Sequence, residues 1–553
     1  MVSQTSWVKK TYKSKGLDPL AVQAISINIY SQLLPGITNV TERARYYSFY
    51  PWMVWVYEHL SETKTLSDFV EWVRRADCLF TMIGIRHLEA SGDDNFAGHE
   101  RGLVGSSTLH QAVVGLGQAE TLHLSDFTVL DDDKPLRYFK NRLGGLKQYY
   151  IGTLDGLGLM TTVGSSVANT NEGGIPLAEA MDAAVDRERF TETVLADEVS
   201  VDTLDALRSF CPCQLAGSPL EHTALVDLFF ERNRTTTEEG HQRRSTLTLI
   251  LDLVKAMAAG GNGHQSRFDQ SVYRGCVYAG FLPGDQEWKL SPALRATQRQ
   301  WKTYQKHELL SIAVQSIFWL ALDFLAEERP KLYTTEDFIR WFGEQMQVVA
   351  AANELDGNYS EALAQTREKL PALSDWLHEE HEITLARKTL DVYRDHKKRA
   401  VRGELVRSAG KLLLTIVARD DGSTPAYDPL TFPAEYFALY PINLESLRRL
   451  TRDPWPSLSV PHWLAWVAGH WGIEAHLRVA LRKLRYQTKD TFHLRPSDHG
   501  LEVDAMPDPT YTNPRFSQAV QILEDLGAIT HLADGQGLAL TPLGEELWEN
   551  YHA

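Results

Sequence analysis

The residues of this chain best suited to chemistry are cations. Between His381 and Asp490, 18 Lys+Arg stand against 12 Asp+Glu, a net of +6; the whole 553-residue chain carries −16, so the remainder carries −22. Such a chain repels polyanions on average, and phosphate contacts require a local patch. One dense cluster is Arg394, Lys397, Lys398, Arg399, Arg402 and Arg407, and a second is Arg482, Lys483, Arg485 and Lys489. Across 481–500 the cations interleave with rings: Arg485, Tyr486, Gln487, Lys489, Phe492, His493, Arg495. Cations hold phosphates and rings stack on bases, which is the chemistry of a nucleic-acid surface. We expect nucleic-acid contacts from Arg394, Lys397, Lys398, Arg399, Arg402, Arg482, Lys483, Arg485, Lys489 and Arg495. A solvated helix face gives the same charge run.

Other reactive types are scattered, and no catalytic residue, metal ligand or cofactor is expected. Glu287-Trp288-Lys289, with Asp269 or Asp285 upstream, matches the acid–x–Lys hairpin of a metal-dependent nuclease, but its flanks lack continuous apolar strands. Cys211-Pro212-Cys213 has no second pair at zinc spacing. His462, His470 and His476 would spread over roughly 20 Å of one helix. His378 and His381 read as a solvated helix end, and His307-Glu308 has no second His four residues on. Neither GxxxxGK[ST] nor GxSxG occurs. Arg243 and Arg244, beside a helix start, are an anion-site candidate.

The elements that must position these groups are mostly helical. With 43% hydrophobic and 23% charged residues, 14 Trp, 21 Tyr and 20 Phe, the composition is that of a folded, multidomain chain. Four Cys exclude a disulfide scaffold. We expect no membrane-spanning helix, no signal peptide and a cytoplasmic location. Spaced apolar residues predict helices over 18–34, 48–60, 67–90, 301–326, 336–352, 358–380 and 384–419, with Asp18, Thr41 or Asn39, and Thr334 or Thr335 as caps. Turn-rich stretches suggest five segments: a helical 1–130, a winged-helix-like 131–185, a helical 186–300, a long-helix 301–420 and a helical 421–553.

One local order recurs at 145–181, 271–294 and 505–553: a helix, a glycine, a short hairpin and a closing helix. It resembles the end of a winged-helix domain, which implies DNA binding or protein docking. The helix at 514–525 holds Arg515, Glu524 and Asp525 and lacks a cation cluster. The fold class expected is mainly α, multidomain, with small β-hairpins in winged-helix-like modules.

The stretch LLPGITNVTERARYYSFYPW carries Leu34, Pro35, Gly36, Arg43, Arg45, Tyr46, Pro51 and Trp52, and is followed by Trp72 to Gly84 and Gly102 to Ser107. It resembles the N-terminal segment of uncharacterised bacterial proteins from mobile defence loci. The resemblance covers the first fifth of the chain. It implies anti-phage or anti-plasmid immunity beside a partner helicase, nuclease or ATPase, and implies no catalytic residue. The residues alone indicate that the crowded rings are core, with Arg43 and Arg45 either partners of buried acids or part of an anion site. The leading expectation is a non-enzymatic DNA-engaging or scaffold subunit. The alternatives are a metal-dependent nuclease and a winged-helix transcriptional regulator.

Overall fold

A computed structural model describes residues 12–13, 17–60, 65–91, 101–130, 136–163, 166–232, 237–259, 268–351, 355, 357–395, 402–487, 489–532 and 537–552. Among them are 23 α-helices and only two-stranded sheets, so the protein is mainly helical with small β-hairpins. The chain divides into two compact units, each built from two separated stretches: Met1–Ser31 with Ser271–Thr512, and Gln32–Gln270 with Asn513–Ala553.

The first unit is organised by the 34-residue helix Arg295–Glu328. Every residue from His307 to Leu322 is buried. The helix lies against Glu382–Asp395, Arg402–Arg419 and the π-helical Val467–Glu474. This helix is long and apolar enough to cross a membrane by length and composition alone. Its most apolar window is 89% buried inside the protein, which makes it a core helix. Asp18 caps the next element as expected, accepting from Val22 N at 3.0 Å and Ala24 N at 3.0 Å. Thr334 caps Thr335–Ala351 through Asp337 N. The helix expected over 358–380 ends at Glu368, two residues before Leu370-Pro371. The residue preceding a proline is driven out of helical geometry.

The second unit is built around Tyr46–His59, where 11 of 14 residues are buried. Neither Thr41 nor Asn39 caps this helix; its N-terminal end is instead held by Asp525, which accepts from Ala44 N at 2.9 Å. The rings of Tyr46, Tyr47, Phe49, Tyr50 and Trp52 are all fully buried and pack on one another, on Phe80 and on Tyr150. Trp52 donates to Asp182.

The recurrent helix–hairpin–helix order is present at all three places. Ile151–Gly156, the strands Met160–Val163 and Ser166–Asn169, and Gly174–Asp182 form one copy. Phe516–Asp525, Ile529–His531, Leu538–Leu540 and Pro542–His552 form another. The two copies share atomic detail. Gly158 and Gly527 end the first helix at φ +68° and +65°. Thr170 Oγ1 donates to Gly158 O and Thr541 Oγ1 to Gly527 O, each at 2.6 Å. Thr170 N and Thr541 N then donate to Leu159 O and Ala528 O. The third copy, Gln270–Ala279 with Phe281–Leu282 and Gln286–Glu287, repeats the left-handed glycine at Gly280 and closes through Ser291-Pro292.

Candidate functional site

The cationic candidates lie in the first unit, and the structure sorts them by partner. Arg402 is ion-paired with Asp323 and Glu327 and covers the Phe324 ring at 4.2 Å. Arg495 pairs with Asp504 and Asp490 and lies over Phe492. Lys483 is half-buried and donates to Leu17 O at 2.6 Å and Asp18 O at 3.2 Å. Burial lowers its pKa, and the Asp18 carboxylate opposes that shift. Arg394 is exposed and bonded to Asp391 at 3.0 Å. Lys397, Lys398 and Arg399 lie outside the described residues.

Arg482, Arg485 and Lys489 differ: none forms an ion pair among the described residues. They follow one another along the end of Ala475–Gln487 and the strand Lys489–Asp490. The Arg485 guanidinium lies 5.3 Å from the Tyr486 ring centre, and Tyr486 is 72% exposed. Arg482 lies 5.9 Å from the Tyr440 ring centre. The strand Lys489–Asp490 pairs in parallel with Tyr12–Lys13, placing Tyr12 opposite Lys489. No local spacing signals a pairing between residues 12 and 489.

The other chemical candidates are absorbed into packing. Arg243 is buried and donates to carbonyls of Phe229, Leu228 and Pro35, and Arg244 to Asn550 O, so the two do not frame an anion site. Of His378 and His381, read as a solvated helix end, His378 is exposed, whereas His381 is fully buried beside the equally buried Glu382. Glu382 accepts from Tyr278 at 2.6 Å and from Arg419 at 2.8 and 3.0 Å. Burial works against its charge, and Arg419 and His381 hold its pKa below the usual range. His307 bridges Val22 O and the Tyr427 hydroxyl. His462, His470 and His476 hydrogen-bond separately to Ser459, Glu474 and Pro19 O. Glu287 and Lys289 line a cleft of about 460 Å³ with Arg295 and Arg299. One carboxylate among three cations is a poor donor set for a divalent metal.

Arg43 and Arg45 are buried partners of acids. Arg43 pairs with Asp525 at 2.9 Å. Arg45 pairs with Glu221 at 2.9 Å and donates to Ser209 O and Cys211 O. The helix that would read DNA in a C-terminal winged helix, Phe516–Asp525, is occupied by the segment it meets within its own unit. Gln518 donates to Asn39 O and Glu42, and Arg515 to Leu34 O.

Sequence spacing missed one cluster. His87, on Leu66–Ser91, reaches the Cys211-Pro212-Cys213 pair. Its Nδ1 lies 3.3 Å from Cys213 Sγ, which lies 3.4 Å from Cys211 Sγ. The sequence separation of 126 between His87 and Cys213 hides the relation from any search by spacing.

Compared with protein-family models, curated proteins and solved structures, the chain matches none.

Proposed function

We propose that the chain is a non-enzymatic, DNA-engaging or scaffold subunit of a bacterial anti-phage or anti-plasmid defence system. It works in the cytoplasm beside a helicase, nuclease or ATPase that does the chemistry. The observation that carries the DNA part is the run Arg482, Arg485 and Lys489, without an ion pair among the described residues, beside the exposed Tyr486 ring. Cations without acidic partners are available to phosphates, and an exposed ring is available to a base. The other described cationic candidates hold carboxylates or carbonyls of the chain itself. The defence setting rests on the likeness of the Leu34–Trp52 segment.

The test is fluorescence anisotropy of a labelled single-stranded oligonucleotide across a salt series. We expect weak affinity that falls steeply with salt, and a weakening of about 1–3 kcal/mol in Tyr486→Ala. Arg485→Gln with Lys489→Gln should flatten the slope of log K against log salt by roughly 0.7 for each phosphate no longer neutralised. Salt-insensitive affinity, or none, would end the DNA part of the reading.

A further inference from the structure

We propose that His87, Cys211 and Cys213 form a zinc(II) site with a fourth coordination position open to solvent. Two thiols and an imidazole are soft and borderline donors, which favour zinc over magnesium or calcium. With Zn–S near 2.3 Å and Zn–N near 2.0–2.1 Å, the edges of a tetrahedron are roughly 3.5–3.8 Å. The observed donor separations of 3.3 and 3.4 Å need only a few tenths of an ångström of expansion. All three donor atoms lie within 4.8 Å of one another.

The supports of the cluster are tied together by side-chain bonds. Arg86, next to His87, grips Asp205 with two bonds of 2.8 and 2.9 Å. Asp205 lies on Val201–Ala206, which leads into the turns that carry both cysteines. From the other side the buried Arg45 guanidinium holds Ser209 O at 2.5 Å and Cys211 O at 2.6 Å. Pro212 fixes the backbone between the two thiols. Cys211 is buried, while His87 and Cys213 are half-exposed, so an ion has a path in from solvent. Binding replaces the two S–H protons, which leave to buffer, and the two thiolates neutralise the dication. The ion would clasp Leu66–Ser91 to the Pro212–Gly217 turn.

The test uses the full chain, reduced with a phosphine and stripped of metal, titrated with cobalt(II) and then zinc(II). The expected result is one cobalt per chain, thiolate-to-cobalt charge-transfer absorption with tetrahedral d–d bands, and displacement of cobalt by one zinc. Cys213→Ser should lose most of the charge-transfer band, and His87→Gln should weaken cobalt binding at least about tenfold. Both positions are half-exposed, and metal-free unfolding midpoints of the two variants should match the parent chain. Absence of a thiolate band, an unchanged spectrum in Cys213→Ser, or binding of copper(I) without zinc would overturn the proposal. So would a Cys211–Cys213 disulfide forming in air in place of metal uptake.

Discussion

At the residue scale, buried charge and buried imidazole decide how the units respond to substitution and pH. Arg45 and Glu221 are both fully buried and bonded to each other. Arg45→Met leaves the Glu221 carboxylate without its cation, which should cost about 3–5 kcal/mol; adding Glu221→Leu should recover part of it. Urea unfolding of the single and double variants checks this. His307 and His476 are pushed down to about 4, chiefly by burial. Neutral imidazole is the form the fold accepts. Their stabilisation is full above pH 6.5 and is lost as pH falls toward 4, by about 2 kcal/mol each at pH 5. Asp77 has the opposite sign. Burial raises it to about 6, despite bonds from Gly145 N, Tyr50 and Tyr138. Its protonated form is favoured, so its contribution is full below pH 3.8 and lost as pH rises through 6. Between pH 7 and 5 the first unit should weaken through its histidines while Asp77 strengthens the second. Pulsed proteolysis read by mass spectrometry separates the two, and Asp77→Asn should flatten the second unit's profile.

At the element scale, the paired helix–hairpin–helix copies make a comparative prediction. A Cβ on Gly544 would lie 2.0 Å from Ala528 O, and one on Gly174 2.1 Å from Leu159 O. Gly158 and Gly527 have open space and only a positive φ. Gly158→Ala and Gly527→Ala should therefore cost about 1–2 kcal/mol of left-handed strain. Gly174→Ala and Gly544→Ala should cost more, because a backbone carbonyl must move. Chemical denaturation of the four variants gives the ranking. These elements were legible in the sequence because their signals are local: a glycine ending an apolar helix, then turn residues, then Thr-Pro or Ile-Pro. Helix existence was legible for the same reason. The relation of His87 to Cys211 and Cys213 was not, since it depends on how Leu66–Ser91 packs in the tertiary fold. Nor did sequence show which cations would be neutralised. Arg402 finds Asp323 and Glu327 on the long core helix, 79 residues away from Asp323.

At the scale of the whole molecule, each unit is closed by a distant stretch of chain. Periodicity and punctuation are local properties and carry no sign of such closure. The second unit depends on its C-terminal stretch: Asp525 supplies the partner of Arg43, and Trp548 donates to Asp252. Truncation after Thr512 should leave Arg43 buried without its carboxylate and abolish cooperative unfolding of the second unit. The first unit ends at Thr512 and should keep its protease resistance. Limited proteolysis with mass mapping distinguishes the two. The DNA contact proposed for the end of Ala475–Gln487 can be read out at the residue level. Photocrosslinking to bromodeoxyuridine-substituted single strands, followed by peptide mapping, tests it directly. Crosslinks are expected on the peptide bearing Arg485, Tyr486 and Lys489, abolished at high salt. Crosslinks confined to Phe516–Asp525, or none at low salt, would contradict it.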